Sequence, residues 1–393
     1  MKDLGVITNL QQALQSSQFD AVLLFGADHV RYASEAPLPF IPALPLETLG
    51  IFISPDEAVV LSPAWLKDTL RNEGNISKVL TYGPNDAWSK MEDLVCATFK
   101  NSLQGGAVIG VPTRRISSRM MEQLQIRLDT ISMISCDAWI RTLRMVKTEK
   151  ELALLEDAAM RTDHALAAAA HHVMVYASRP EKGLSEIIRV HCLEREMDMS
   201  GYESLAVGAS GEHTADPWPE APYYGVGLGK QLQQGEWVRM EIRNSLHGYW
   251  STAARMLTMG PPSDEQHTTY QMIVRLRKET LRILKAGARC CDVFDRVCSF
   301  AEEHEIPLVK ELGLGHGAGV SPVEPPYLDP SDSTCLAPSM VLVLTPTVRG
   351  SGGELVRSFD TVLIEEDHSR ILGWYRNWET PYLAVSSWQH GGG

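Results

Sequence analysis

The stretch GHGAGVSPVEPPYL, residues 315–328, decides the fold of this 393-residue chain. It places one histidine, His316, and one glutamate, Glu324, in a run rich in glycine and proline. Glycine lacks a Cβ atom, so such a run lets the backbone approach another group closely and brings the imidazole to the edge of a cavity. The stretch therefore predicts a functional loop rather than a plain surface connection.

The composition is that of an ordinary globular protein. Hydrophobic residues make up 44% and charged residues 22% of the chain, and a chain of this length is expected to form about two or three domains. The net charge of −13 argues against a nucleic-acid partner, because phosphate binding needs a basic face. No stretch reaches the length of a membrane span and residues 1–4 begin no signal peptide. The sequence therefore predicts a cytoplasmic protein with no membrane partner.

Seven cysteines are scattered along the chain, an odd number without metal-finger spacing. Cys290, Cys291 and Cys298 fall on a segment with a helical pattern. This distribution predicts a reduced protein with buried thiols rather than a disulfide framework.

The N-terminal part of the chain alternates between strand and helix patterns. Helices are predicted over residues 5–17 and 115–128. Short apolar runs bounded by glycine or proline predict buried strands at residues 19–26, 49–53, 57–61 and 107–111. Strands that alternate with helices indicate an α/β domain.

Two further helix entries follow this domain. Thr148 and Glu151 form a capping-box pattern that starts a long helix, and the turn KAGAR, residues 285–289, precedes another helical pattern. Together with the 315–328 stretch, these motifs resemble the creatinase/prolidase/aminopeptidase P superfamily, whose catalytic domain has the pita-bread fold. The resemblance covers most of the chain and is densest over residues 140–365.

The resemblance implies a two-domain organisation. The fold class is α/β (α+β), with an N-terminal creatinase-like α/β domain at residues 1–143 and a C-terminal pita-bread domain at residues 144–393. In this superfamily the subunits often pair, so a homodimer is also expected.

Metal-dependent members of the superfamily bind two divalent ions through two aspartates, one histidine and two glutamates. The resemblance places these five positions at Glu241, Thr252, His316, Thr345 and Phe359. Two metal ions repel each other and need bridging carboxylates, which threonine and phenylalanine do not supply. The resemblance therefore implies a degenerate metal site, with no metal ligands and no cofactor.

Strand alternation predicts what surrounds Glu241. A period of two puts Arg239, Glu241 and Arg243 on one face of their strand and residues 238, 240 and 242 on the other. The two guanidinium groups would supply positive charge where the superfamily holds its metal ions.

Other side chains are predicted to line the same cavity. In many relatives a histidine that follows a proline clamps the substrate; the resemblance puts Trp218 at that place, with His213 nearby. By strand alternation Trp250 and Thr252 share a face. The predicted substrate-binding residues are Trp218, His213, Arg239, Arg243, Trp250, Thr252, Arg255, Thr345, Arg357 and Phe359.

The function implied is that of the metal-free members, creatinase and ectoine hydrolase, because ectoine hydrolase also has a glutamate at the first ligand position. Such an enzyme is a metal-independent hydrolase or lyase that acts on a C–N bond of a small polar, amidine- or amide-like substrate. Glu241 would be the nucleophile or general base, His316 its acid–base partner, and Glu324 the third predicted catalytic residue. Arginines such as Arg239 and Arg357 would hold a substrate carboxylate through paired hydrogen bonds.

Two other functions stay open. One is a non-catalytic pita-bread protein that binds a ligand or another protein, and the other is a metal-dependent Xaa-Pro peptidase with unusual ligands. Several residues also have structural interpretations. Glu241 would be a buried ion-pair anchor, His316 a hydrogen-bonded remnant, Arg255 a structural cation and Glu324 a group that orients its neighbours.

Overall fold

The computed structural model describes residues 5–36, 38, 46–83, 87–175, 180–198, 204–216, 230–373, 379 and 381–384. The chain divides into two units, Met1–Arg144 and Met145–Gly393. The sequence predicts this division one residue earlier, after residue 143. In the described part of the chain, no helix combines the length and the apolar character that a membrane crossing needs.

The first unit is built on a six-stranded sheet. Its strands are β1 Ala21–Phe25, β2 Gly50–Ile53, β3 Ala58–Pro63, β4 Lys78–Tyr82, β5 Val108–Val111 and β6 Ser132–Ser135. Their order is β4-β3-β2-β1-β5-β6, in which β2 is antiparallel to both neighbours and the other neighbouring pairs are parallel. The helices are α1 Val6–Gln15, α2 Ala27–Ser34, α3 Lys67–Glu73, α4 Ala87–Ser102, α5 Ser118–Arg127 and α6 Asp137–Met145.

The predicted elements of this unit are confirmed with slightly different ends. Every residue of β1 and β2 is buried, as expected for apolar runs in the middle of a sheet. Helix α1 buries Val6, Leu10 and Leu14, which share one face at helical spacing. The mixed sheet with its helices is the α/β domain that the sequence predicts.

The described part of the second unit contains two larger sheets, one two-stranded sheet and four α-helices. Its helices are α7 Glu149–Val175, α8 Glu181–Leu193, α9 Asp264–Ile283 and α10 Cys290–Glu303. The first sheet has the order β17-β9-β8-β7 and consists of β7 Leu205–Ser210, β8 Trp237–Leu246, β9 Tyr249–Met259 and β17 Tyr382–Ala384. The second has the order β11-β10-β12-β15-β16 and consists of β10 Gly315–Gly317, β11 Glu324–Tyr327, β12 Val341–Leu344, β15 Asp360–Ile364 and β16 Ser369–Ile371. A separate hairpin joins β13 Thr347–Arg349 to β14 Leu355–Arg357.

The stretch predicted as a loop, residues 315–328, contains two of these strands. β10 pairs with β12 through residues 315–317, and the register between β10 and β11 shifts after His316. Backbone pairing with the fully buried β12 overrides the weak strand preference of glycine. His316 is therefore held in a sheet rather than in an irregular loop.

Helices cover one face of each sheet. Helices α7 and α8 pack on Val238, Met240 and Ile242 of β8, and α9 and α10 pack on a core that includes Leu342 and Leu344 of β12. Because successive strand residues point to opposite faces, this packing turns residues 239, 241 and 243 away from α7 and α8. The alternation predicted for this strand is confirmed.

The helix entries also follow the sequence. The Thr148 backbone N–H donates to Glu151 Oε2 at 2.9 Å and the Glu151 backbone N–H donates to Thr148 Oγ1 at 3.3 Å, so the predicted capping box starts α7. Helix α10 begins directly after the KAGAR turn, in which Gly287 has a φ of +83°. Such a backbone conformation favours glycine.

The seven cysteines are free thiols, and four of them are buried. Burial raises the pKa of Cys136, Cys192 and Cys290 to about 12. Thiols with such a pKa are poor nucleophiles, so these cysteines belong to the packed interior.

Candidate active site

The site is built around the hairpin of β8 and β9. Glu241 pairs with Ala254 across the hairpin, and Arg243 pairs with Thr252. The second sheet approaches at the same place, since the Phe359 backbone N–H donates to Ala254 O at 3.1 Å. Two sheets that meet backbone to backbone give this site a rigid frame.

Glu241 is a buried carboxylate paired with Arg357. Arg357 Nη1 donates to Glu241 Oε2 at 3.2 Å, and the two residues are only 3% and 4% exposed. The Arg357 guanidinium also lies 5.5 Å from the centre of the Phe359 ring, within the range of a cation–π contact. Loss of either charged partner would leave the other as a buried, uncompensated charge.

Arg239 is a second buried guanidinium in the same cluster. It is 0% exposed, and its Nη1 donates to the carbonyl oxygen of Asp216 at 2.8 Å and to that of Thr214 at 3.4 Å. Burial, followed by the like charge of Arg357, lowers the pKa of Arg239 to about 10. Arg239 nevertheless stays cationic at neutral pH.

His316 lies on β10, and its orientation is fixed by its own backbone. Its Nδ1 lies 3.0 Å from Gly317 O, so Nδ1 carries the proton and Nε2 is the acceptor. Burial lowers the pKa of His316, and the nearby Arg243 lowers it further. His316 is therefore a neutral imidazole at pH 7, the form that accepts a proton.

Glu324 is the partner of a lysine that the sequence does not single out. Lys147 Nζ lies 3.1 Å from Glu324 Oε1, and both side chains are buried. Gly319 makes room for this pair, because a Cβ atom there would lie 2.5 Å from Glu324 Oε1. Next to the pair, burial raises the pKa of Glu151 to about 7. In the sequence, only the capping-box motif at the start of α7 points to Lys147 and Glu151, and it does not indicate that either residue is buried.

Two predicted lining residues lie on the same hairpin, and a third follows β12. Trp250 is buried and its backbone N–H donates to Gly319 O at 2.8 Å, which joins β9 to the glycine-rich stretch. Thr252 is also buried, and its Oγ1 has no hydrogen-bond partner among the described residues. Thr345 follows β12, where its backbone N–H donates to Leu314 O at 2.9 Å.

Arg255 belongs to a separate network. Its Nη2 donates to Asp360 Oδ1 at 2.6 Å, and Asp360 also accepts from Arg277. Burial alone would raise the pKa of Asp360, but the two arginines lower it to about 2. This ion triplet joins β9, β15 and α9, which favours a structural role for Arg255 over substrate binding.

His213 and Trp218 do not form a described clamp. His213 Nδ1 lies 2.7 Å from Glu181 Oε2, and Glu181 is a buried carboxylate at the start of α8. Trp218 lies outside the described residues. The structure thus brings together Glu241, Arg357, Phe359 and Arg239, with His316 near Arg243 and Glu324.

The donor set at the five superfamily positions does not fit two divalent ions. One carboxylate, Glu241, is engaged by Arg357, and Phe359 offers only a ring to the same guanidinium. Among the residues that the structure describes, no group of three or more His, Cys, Asp or Glu side chains is placed to hold a metal ion. Divalent ions in such sites need several anionic or imidazole ligands.

Known proteins match both halves of the chain. Residues 7–146 match the creatinase/prolidase N-terminal domain, and residues 153–366 match metallopeptidase family M24. The chain is 24% identical over 369 residues to a Xaa-Pro dipeptidase of Pyrococcus horikoshii, covering 93% of this chain and 96% of that protein. It is 27% identical over 268 residues to a Xaa-Pro dipeptidase of Pyrococcus furiosus, covering 65% of this chain and 71% of that protein.

A solved structure shows the same fold over nearly the whole length. The X-Pro aminopeptidase of Thermotoga maritima superimposes with a TM-score of 0.79 at 18% identity, covering 96% of this chain and 99% of that one. The predicted fold class, a creatinase-like N-terminal domain followed by a pita-bread domain, is confirmed.

The matches correct the predicted function. The metal-independent hydrolase of the creatinase or ectoine hydrolase type is wrong, because the matched relatives are Xaa-Pro dipeptidases and the matched family is one of metallopeptidases. The prediction of a degenerate site that binds no metal also conflicts with the match to a family of metallopeptidases. The prediction depended on a single shared residue, Glu241, whereas the match to the dipeptidase extends over 369 residues. The homodimer and the cytoplasmic location stay predictions.

The two matched regions together span almost the entire described chain. The larger one, residues 153–366, contains Glu241, His316, Glu324 and Arg357. By this match the chain belongs to metallopeptidase family M24.

Proposed function

We propose that this chain is a peptidase that acts on short peptides of the Xaa-Pro type. The observation that carries the proposal is the match to a Xaa-Pro dipeptidase over 93% of this chain and 96% of the relative, which includes both domains. A match of that extent favours a shared substrate class over a new chemistry grafted onto a shared fold.

The residues around Glu241 have roles that suit such a substrate. Arg357 orients Glu241, and the buried Phe359 ring lies against the Arg357 guanidinium, which gives an apolar surface of the kind that a proline ring requires. His316 is neutral and has Nε2 as its acceptor atom, so it can take up or return a proton during cleavage of the amide bond. The ion pair between Lys147 and Glu324 ties the glycine-rich stretch to the entry of α7.

The test is hydrolysis of Gly-Pro by the purified full chain, with Gly-Ala as the matched peptide without proline. Each peptide is assayed with protein as isolated, after dialysis against chelator, and after addition of Mn²⁺, Co²⁺ or Zn²⁺. We expect release of free proline in at least one of these conditions, at a rate above that of Gly-Ala. Absence of proline release in all of them contradicts the proposal.

A pair of histidine variants ties any activity to the site. His316→Asn should lower the rate by about 100-fold or more, as expected for loss of a group that transfers protons. His304→Asn is the control, because His304 Nδ1 also bonds a backbone carbonyl, that of Phe300 at 2.9 Å, whereas His304 caps α10, a helix that contributes no residue to the candidate site. Equal rates in the two variants would separate the activity from His316.

A second candidate is a protein that binds such peptides without cleaving them. It is favoured by one specific observation, the engagement of Glu241 by Arg357 at 3.2 Å, because that pair occupies the carboxylate that catalysis would use. This candidate predicts that Gly-Pro binds in a calorimetric titration while no proline is released under any metal condition.

A further inference from the structure

A cavity of about 590 Å³ lies against helix α8 in the second unit. One side of this helix lines it through residues at helical spacing, which include Glu186, Ile187, Val190 and His191. Helix α7 contributes His172. Cavities that hold small organic molecules in proteins have volumes of about 300–1,000 Å³, so this one is large enough for a ligand.

The cavity is separate from the candidate active site. Helices α7 and α8 pack on the face of β8 that carries residues 238, 240 and 242, whereas Glu241 lies on the other face. Ile187 lines the cavity and belongs to this buried core between helices and sheet. The sheet therefore lies between the two sites, and no residue of the candidate active site lines the cavity.

The wall of the cavity suits an apolar body. Val190 is 49% exposed although it lies beside the buried Ile187, so a ligand placed there removes apolar surface from water. The imidazole rings of His172 and His191 meet edge to face, with their centres 5.9 Å apart. Rings in this arrangement offer a flat surface to a further ring.

The charges around the cavity favour a positive ligand. Two carboxylates, Glu186 and Glu194, line it together with one ammonium group, that of Lys182. Glu194 Oε2 lies 2.9 Å from His191 Nδ1, whereas Glu186 and Lys182 form no hydrogen bond or ion pair with a described residue, although they lie one turn apart. Glu186 is thus a carboxylate that a ligand can reach. The net charge of −13 attracts cations over longer distances.

We infer that this cavity binds a small organic cation with an apolar body, such as an arylalkylammonium ion. Its ammonium group pairs with Glu186, and its hydrocarbon part covers Val190 beside the two imidazole rings. The site goes beyond the proposed peptidase function, because it lies on the opposite side of the sheet and uses none of the residues around Glu241.

Three probes that share a phenyl ring and a two-carbon chain test the class of ligand. They are 2-phenylethylamine, which is a cation at neutral pH, the neutral 2-phenylethanol, and the anion 3-phenylpropionate. Binding of each to the full chain is measured by ligand-observed NMR titration. We expect the amine to bind about threefold to tenfold tighter than the alcohol, and the anion to bind most weakly, because only the amine forms a charge-assisted contact with Glu186. Equal binding of the three probes, or no binding of the amine, overturns the inference.

A matched pair of variants locates the amine. Val190 and Leu193 both lie on α8 and are 49% and 53% exposed, but only Val190 lines the cavity. Val190→Arg places a long cationic side chain over the cavity and should abolish binding of the amine, whereas Leu193→Arg makes the same change of charge and should retain it. Circular dichroism checks that both variants are folded. Unchanged binding to Val190→Arg places the amine elsewhere on the chain and overturns the inference.

A second pair of variants tests the sign of the charge that the cavity recognises. Glu186→Gln should weaken binding of the amine about threefold or more, because it removes the carboxylate. Lys182→Gln should leave that binding equal or tighter, because it removes a like charge one turn away. If Lys182→Gln instead weakens binding, the ligand contacts the ammonium group, and the assignment to organic cations is overturned. These outcomes do not depend on whether the chain cleaves Gly-Pro.

Discussion

Replacing Glu151 with glutamine tests how one buried carboxyl group shapes the pH dependence of stability. Glu151 is 3% exposed, and burial raises its pKa from 4.5 to about 7 against the opposing effects of Thr148 and Lys147. Its neighbour Glu324 already pairs with Lys147, so an ionised Glu151 puts a second negative charge beside one ammonium group. The folded protein therefore holds Glu151 protonated at a pH where the unfolded chain ionises it.

The size of the effect follows from the two pKa values. A carboxyl group with a raised folded-state pKa contributes stability that is full below 4.5 and is lost as the pH rises through 7. The difference between 7 and 4.5, at about 1.4 kcal/mol per pKa unit, corresponds to about 3 kcal/mol. Glutamine is neutral at every pH and can keep the capping box with Thr148. The free energy of unfolding of Glu151→Gln minus that of the unaltered chain should therefore rise by about 3 kcal/mol as the pH is raised from below 4.5 to 8.

Urea unfolding of the two proteins, followed by near-ultraviolet circular dichroism at several pH values, measures this difference. All other titrating groups are shared, so their contributions cancel when the two curves are subtracted. Glu156→Gln is the control on the same helix, because Glu156 is half-exposed and pairs with Arg370 at the surface. A Glu151→Gln difference that stays constant across the pH range would refute the reasoning.

Three further outcomes are expected. Arg357→Gln removes the guanidinium 3.2 Å from Glu241 and should lower the free energy of unfolding by about 3–5 kcal/mol; an unchanged urea midpoint speaks against a buried pair. Gly208→Ala puts a Cβ atom into the Leu184 side chain and should cost about 1–3 kcal/mol in the same assay. Adding Leu184→Ala should then recover part of that loss. If the losses of the two single variants simply added up in the double variant, the clash would be contradicted. The His316 ring should titrate below 6.5 in a proton–carbon NMR experiment, because burial lowers its pKa; a midpoint above 6.5 disproves this.

Much of the fold could be predicted where buried positions give the sequence a regular pattern of apolar residues. The fully buried β1 and the one-sided helix α1 are examples, since each shows a single uninterrupted signal. The half-exposed edge strand β6, Ser132–Ser135, carries no such pattern, because only part of it packs against the core. β10 was missed for another reason: its glycines disfavour a strand, and only the pairing with β12 makes one.

In the candidate site, too, local features could be predicted from the sequence and long-range contacts could not. Strand alternation is local, so the sequence predicts that Arg239 and Glu241 share a face. The partners of the buried charges are distant in sequence: Arg357 is 116 residues from Glu241, and Lys147 is 177 residues from Glu324. Such pairs depend on how the sheets meet, which spacing along the chain does not reveal. The function predicted from Glu241 depends on one residue, whereas the similarity to a Xaa-Pro dipeptidase covers 93% of the chain.

Strand β8 separates two tasks that most segments combine. Its even-numbered residues 238, 240 and 242 anchor the sheet to α7 and α8, while the odd-numbered positions carry the charged groups. Mutations on the charged side therefore leave the packing of the anchoring side in place. A change at Glu241 must still be matched at Arg357, because the two form a buried ion pair, so new specificities at this hairpin are expected to evolve through paired changes.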